Sequence, residues 1–331
     1  MFCKRAHPVV RPFDVPMFLC VSLNPAIDKQ IRVRSLAAGQ VTRAESVQGF
    51  PGGKAAHVAM VLRSLGHATR WTGLCGGSTG EELISGLLKL GIDVHHYQTS
   101  GKTRTNLEII DDRGAVTEIL EPGDAPNDRE ILAFEEKCRD LFSEGRENLW
   151  VIFSGSLPPG VAADSYSRLV AIAKSFGCST CVDTGGEALR LALSQRPDFV
   201  KPNRDEVALC VGTQIDHLPA AAAALRQLIS KGARAAALSL GGDGMLYCAG
   251  DRQPVFWAPA VSVPVRSTVG CGDSALAGFL HSFALNATPD HALAFAAACA
   301  AANCLADSPG TARLQDIERL LPSVRVQRMS E

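Results

Sequence analysis

The chain has 331 residues, 33 Lys and Arg against 34 Asp and Glu, and a formal net charge of −1. Hydrophobic residues make up 46% and charged residues 20%, enough core for a globular protein, which excludes a disordered chain. The charge balance lacks the basic excess of a nucleic-acid binder, and eleven cysteines, an odd number scattered from Cys3 to Cys304, read as reduced thiols of a cytoplasmic protein.

Residues 1–16, which carry Pro8, Pro12, Pro16 and Asp14, lack the apolar run of a signal peptide and are expected to be a disordered extension. MFLCVSL (17–23) predicts a strand, and 55–65 predicts a helix with Val58, Val61, Leu62 and Leu65 on one face. A strand at 68–75, a helix at 81–90 and a strand at 149–155 follow. Next come helix 163–175, strand 178–183, helix 186–194, strand 198–200, helix 217–231 and strand 235–240. Hairpin material runs to about Trp257, and helices are expected near 273–285, 289–304 and 314–321. Strands alternating with helices mean βαβ units. The fold class is therefore α/β, a doubly wound and mostly parallel sheet flanked by helices. The Ala-rich run from Ala292 to Ala302 is far short of the about 20 residues of a membrane span and predicts a buried helix packed close to a neighbour; no membrane partner is expected.

Two segments, 29–47 and 103–121, break the rhythm. They alternate apolar and polar residues around turn signals at Gly39 and Asp112-Arg113-Gly114, which predicts antiparallel strands. A small β-sheet lid, inserted into one domain over 17–331, accounts for both.

Five motifs fall at strand ends or helix starts, where parallel α/β sheets bind ligands. The strongest is STVGCGDSALAGFL (267–280). Its two glycines before an apolar helix aim free N–H groups at one point and form an anion site with the helix end. Asp273 stands where those donors converge, placed to accept a proton from a hydroxyl during phosphoryl transfer; an N-cap Asp after a glycine turn gives the same pattern. PGGKAAHVAMVLRSLG (51–66) repeats the glycine-to-helix arrangement with a lysine. LNPAID (23–28) exposes Asp28 at a strand end. VKPNRDEV (200–207) reads as a capping box of Asn203 and Glu206, and LSLGGDGMLY (238–247) as a hairpin.

Competing motifs fail on context. GCGDSA (270–275) matches a dinucleotide fingerprint, but no strand follows to carry the ribose-binding acid. No G-x-x-x-x-G-K-[ST] sequence occurs. Cys178-Ser-Thr-Cys181 has no second ligand pair nearby, and His95-His96 reads as a solvated turn. Asp183 and Glu187, around Gly185-Gly186, suit either a nucleotide-side position or a helix cap.

The ordered set LNPAID, GGKxxxVAxxLxxLG, SGSLPPG, KPNxxE, SLGxxG and TVGxGDxxxAG resembles the ribokinase-like PfkB carbohydrate kinases across residues 17–321. The markers NPAID, TRTNL (103–107), EPGDAPN (121–127) and SGSLPPG (154–160) are most similar to the branch of 1-phosphofructokinase, tagatose-6-phosphate kinase and the minor 6-phosphofructokinase. The resemblance implies an ATP-dependent kinase for a ketohexose phosphate, with Asp273 as base and Gly270, Cys271 and Gly272 as the γ-phosphate anion hole. It implies a sugar-phosphate site of Asp28, Gly52, Gly53, Lys54, His57, Arg104 and Ser156. Nucleotide contacts fall to Lys201, Asn203, Ser239, Gly241, Gly244 and Thr268, with Asn303 flanking the adenine and Glu206 organising Mg²⁺ through water. The lid implies a homodimer.

The chain departs from the family at GGKAAHVAM, where GGKGINVAR is usual. Ala55 replaces Gly, His57 replaces a sugar-contacting Asn, and Met60 replaces Arg. His57 as neutral imidazole would donate one hydrogen bond, as imidazolium it would pair with a phosphate, and facing the helix interior it would do neither. Cys271 replaces the usual Ala; a thiol at a helix N-terminus can have a lowered pKa and serve as an oxidation or alkylation switch, or the residue is a plain small-side-chain replacement. Two other readings remain: a kinase for a nonphosphorylated sugar or a nucleoside, and a noncatalytic sugar-phosphate-binding regulator.

Overall fold

In the computed structural model, which describes residues 16–145 and 148–329, two sheets share one α/β framework. The reading of residues 1–16 as an extension falls, apart from Pro16, outside the described residues. The first strand, β1 (Met17–Ser22), leads to β2 (Ala26–Val33) and β3 (Ser46–Gly52), and then to β4 (Thr69–Cys75) with the short β5 (Asp93–Val94) and β6 (Tyr97–Gln98). Strands β7 (Arg104–Asp111) and β8 (Val116–Leu120) precede the main-sheet strands β9 (Leu149–Ser154), β10 (Ser179–Asp183), β11 (Phe199–Val200) and β12 (Ala235–Ser239). The chain closes with β13 (Met245–Cys248), β14 (Val255–Ala258) and β15 (Gln327–Arg328).

The large sheet runs β15-β14-β13-β12-β11-β10-β9-β1-β4-β5. Pairing is parallel from β12 through β5 and antiparallel from β12 to β15. From β1 the chain first builds outward through β4 and β5, then returns to the other side of β1 with β9. The switch point therefore lies between β1 and β9, and a crevice opens at the carboxyl ends of such a pair. There Asn24 Nδ2 donates to Ser156 Oγ at 3.2 Å, tying the two strand exits together.

Period-two alternation sends β1 side chains to opposite faces. Phe18 and Cys20 join a core with helices α1 (Lys54–Ser64), α2 (Gly77–Lys89) and, late in the chain, α8 (Cys271–Ala284) and α9 (Pro289–Cys304). Leu19 and Val21 join a second core beneath α3 (Asp128–Gly145), α4 (Ser165–Ser175), α5 (Gly186–Leu193), α6 (Arg204–Val211) and α7 (Leu218–Ser230). Helix α10 (Leu314–Leu320) buries Ile317 in the first core. As its alanines predict, α9 is buried nearly all round, with Ala292, Ala296, Ala298 and Ala302 in the core shared with α8.

Helix α3 is the one long element that the sequence reading passes over. Its signals are present: Asn127 Oδ1 accepts from the Glu130 N–H at 3.1 Å and Glu130 Oε2 accepts from the Asn127 N–H at 2.8 Å, a capping box. Phe134, Cys138 and Leu141 then recur at helical spacing and are buried.

The second sheet has the order β3-β2-β7-β8. The two hairpin-like segments are antiparallel within themselves, as expected, but β2 and β7 join them in parallel. It is also displaced from the expected 29–47 boundary, because β2 starts at Ala26 and β3 runs on to Gly52. Arg104 thus opens β7 and Asp28 is the third residue of β2, and both side chains face the crevice.

Candidate active site

A cleft of about 730 Å³ opens at the switch point, between the main sheet and the second sheet. It gathers Asp28, Gly53, Lys54, His57, Arg104, Ser156, Lys201, Asn203, Glu206, Ser239, Thr268, Gly270, Gly272 and Asp273 from sequence motifs far apart in the chain. Gly52, Cys271, Gly241, Gly244 and Asn303 are not among the residues that line it.

Asp273 sits in the first turn of α8, but it is not the cap. Gly270 is the cap residue, in the left-handed conformation at φ 79°, and Asp273 makes no capping bond. Its Oδ2 lies instead 2.8 Å from His57 Nδ1. Gly270 is required here twice over, since a Cβ would also stand 2.5 Å from the Gly310 nitrogen. The turn's N–H groups and the carboxylate therefore face the same space.

His57 is 3% exposed and stands between two acids. Its Nε2 lies 2.9 Å from Asp28 Oδ2, off the ring's N–H axis, so this contact is an ion pair rather than an aligned hydrogen bond. Burial alone would lower the imidazole pKa; the hydrogen bond to Asp273 and the charge of Asp28 outweigh it and push the value up to about 10. His57 is thus an imidazolium at neutral pH. Both ring nitrogens are engaged by protein carboxylates, and neither faces the helix interior. Asp28 responds in kind: burial works against its charge, but His57, Asn106 and Arg104 hold its carboxyl below the usual range. Asn106 Nδ2 donates to Asp28 Oδ1 at 2.8 Å. Gly52 permits this placement, because a Cβ there would stand 2.3 Å from the Asp28 carboxylate.

The lysines occupy the other half of the cleft. Lys54 Nζ pairs with Glu206 and lies 3.4 Å from Asp183 Oδ1. Burial opposes its charge, yet Asp183, Glu206 and Asp273 together raise its pKa. The sequence reading places Lys54 at the sugar phosphate; in the structure it lines the cleft and its ammonium pairs with Glu206 and Asp183. Lys201, 2% exposed, lies 3.5 Å from Asp183 Oδ2. A Cβ on Gly272 would be 3.5 Å from the Lys201 ammonium, so this charge stands beside the anion turn. Asp183 is the hub that the sequence left open: fully buried at the carboxyl end of β10, it faces Lys54 and Lys201. Glu187, its companion in that reading, pairs with Arg190 on the surface.

The capping box of Asn203 and Glu206 is present in both directions, and Glu206 has a second oxygen for Lys54. Arg104 donates to the carbonyls of Asn24 and Glu121 at 3.3 and 2.8 Å. Asn303 is 1% exposed and braces the anion turn, donating to Val269 O at 2.8 Å and accepting from the Thr311 N–H at 3.0 Å. Gly241 and Gly244 shape the turn after β12 through positive φ angles of 60° and 93°. Cys271 corrects an expectation. Its hydrogen bond with Cys304 first, and burial second, push the thiol pKa up rather than down. Cys178 and Cys181 are both buried, and His95 pairs with Asp93 away from the cleft.

The model of the pfkB family carbohydrate kinases matches residues 18–316. The chain belongs to this family. It is an ATP-dependent carbohydrate kinase. Among curated relatives, it is 34% identical over 266 residues to a protein named 1-phosphofructokinase from Rhodobacter capsulatus, covering 80% of this chain and 83% of the relative. It is 28% identical over 313 residues to the protein of that name from Bacillus subtilis, covering 95% and 100%. The solved structure of the tetrameric inhibited form of phosphofructokinase-2 from Escherichia coli superposes with a TM-score of 0.82 at 27% identity, over 93% of this chain and 99% of that one. The ribokinase-like fold, its large parallel sheet and its second small sheet are common to this group. The decisive motifs, GxGD and KPNxxE, were legible in sequence. Asn106 was legible only as part of TRTNL, and nothing in sequence joined His57 to Asp273.

Proposed function

We propose that the kinase phosphorylates a free hydroxyl of a ketohexose phosphate, with fructose 1-phosphate as the first candidate. The observation that carries this reading is Asp273: a carboxylate in the cleft, beside the anion turn, with one oxygen held by His57 and the other free. The sugar lies between Asp28 and Arg104 beneath the second sheet, and the nucleotide runs along Lys201, Asn203 and Ser239. The acceptor hydroxyl oxygen attacks the γ-phosphorus, its proton passes to the free oxygen of Asp273, and ADP leaves. The N–H groups around Gly270 to Gly272, with Lys201, face the charge that develops on the transferring group. His57 stays protonated. It acts as a positioning residue that holds the base and offsets the repulsion between Asp273 and Asp28.

Mg²⁺ fits this site as a companion of the nucleotide. Among the described residues, no cluster of three or more metal-ligating side chains forms a ready-made cage. One carboxylate plus phosphates and waters is the usual Mg²⁺ arrangement, and Glu206 supplies it. Bound there, the ion would neutralise phosphate charge, with Lys54 sharing the Glu206 carboxylate.

A homodimer through the second sheet is supported by exposed apolar residues there, Val47, Ile119 and Leu120, at 56%, 51% and 59%. A cytoplasmic location is supported by free cysteines throughout the described residues. Among these residues no helix is long and apolar enough to cross a membrane.

The test is ADP release with ATP, Mg²⁺ and a panel of fructose 1-phosphate, fructose 6-phosphate, tagatose 6-phosphate, free hexoses and nucleosides. The expected result is a kcat/KM for one ketohexose phosphate that exceeds every nonphosphorylated acceptor at least tenfold. Preference for a free sugar or nucleoside overturns the proposed acceptor, and no ADP above background with any acceptor points to a regulator.

A further inference from the structure

Cys271 and Cys304 present their Sγ atoms to each other at 3.1 Å. The first opens α8 inside the anion turn, and the second closes α9. They are half-buried, whereas the other described cysteines are all buried. Burial raises the thiol pKa at Cys20, Cys75, Cys138 and Cys299, so those side chains hold their protons and stay inert. In the pair the effect is divided. The hydrogen bond between the two sulfurs, with burial, pushes Cys271 up, and the same hydrogen bond lowers Cys304. Cys304 is the more nucleophilic sulfur, and Cys271 is in place to resolve whatever forms on it.

We infer that Cys271 and Cys304 are a dithiol modification site, which a peroxide converts to a disulfide that shuts off phosphoryl transfer. The Cys304 thiolate attacks one peroxide oxygen. The O–O bond breaks, a sulfenic acid forms on Cys304, and the departing hydroxide takes the Cys271 proton as water. The Cys271 thiolate then attacks the Cys304 sulfur; the S–S bond forms, the S–O bond breaks, and the hydroxide leaves as water after protonation by solvent. With the solvent proton counted back, two thiols and one hydrogen peroxide give one disulfide and two waters. The thiols lose two electrons and the peroxide gains them.

Closing 3.1 Å to the about 2.05 Å of a disulfide requires roughly 1 Å of approach. That movement acts on the residue after Gly270 and two before Asp273. The turn has little slack: Gly270 packs on Gly310, and Asn303 holds both Val269 O and the Cys271 sulfur, at 2.8 and 3.3 Å. A displacement of this size at a catalytic centre costs on the order of 100-fold in rate. The buried cysteines give no comparable route, because none lies in the turn.

The experiment treats the full chain with hydrogen peroxide, blocks residual thiols, maps the peptides and measures kcat. The wild type is expected to lose at least tenfold in kcat, to yield a peptide joining Cys271 to Cys304, and to recover on addition of dithiothreitol. Cys304→Ser is expected to keep its basal kcat and to resist the same dose; if it is unstable, Cys304→Ala carries the comparison. Three results overturn the inference. They are oxidised protein without the Cys271–Cys304 peptide, a cross-linked protein with undiminished kcat, or a Cys304 variant inactivated as fast as the wild type.

Discussion

His57 Nδ1 and Asp273 Oδ2 lie 2.8 Å apart although 216 positions separate the two residues in the chain. The contact sets the direction of the base: one carboxylate oxygen faces the imidazolium and the other faces the cleft. It also links the base to Asp28, which the same ring approaches from its other nitrogen. Lys54, on the same helix, interacts electrostatically with Asp273, and Arg104, from β7, with Asp28.

Replacing Asp273 by Asn keeps the shape and removes the proton acceptor. We expect kcat to fall by about 10² to 10⁴, the usual contribution of a general base, with little change in nucleotide affinity. Steady-state kinetics and nucleotide titration measure both. A variant that turns over near the wild-type rate shows that Asp273 is not the base.

His57 makes stability depend on pH in a definite direction. Its folded pKa of about 10 lies above the ordinary value near 6.5. Its contribution is therefore complete below about pH 6.5 and is lost as pH rises through about 10. The size expected is a few kcal/mol, of order, from the same linkage. The Tm of the wild type minus that of His57→Asn should shrink steadily between pH 7 and 10. A difference independent of pH would mean that the ring is neutral in the folded protein.

Asp183→Asn removes an anion from a buried position where Lys201, 2% exposed, stands 3.5 Å away. An uncompensated buried charge costs about 3–5 kcal/mol, read by urea denaturation. Adding Lys201→Met to the same chain should recover part of that loss. If the single variant is as stable as the wild type, the lysines do not depend on this acid.

Gly270→Ala tests the anion turn. The added methyl meets the Gly310 nitrogen at 2.5 Å in a residue already at φ 79°. A loss of at least about 1 kcal/mol is expected, with kcat reduced more than the KM for the sugar. Wild-type kinetics in this variant would remove the turn from the mechanism.

The sequence by itself determined most of the scaffold. Strand and helix periodicity is a local property, so the βαβ alternation and the buried Ala-rich helix could be read directly. The glycine turn before Asp273 was local too. Helix α3 was equally local, marked by its capping box at Asn127 and Glu130. The tertiary structure decided how charges pair. Lys54 pairs with Glu206 and Asp183, and His57 bridges two acids. Cys271 meets Cys304, which reverses the pKa shift that its helix position suggested. Each depends on the separation of groups remote in sequence. Electrostatic coupling falls with distance in space and not with distance along the chain, so a near-neutral composition could reveal the total charge but not its arrangement.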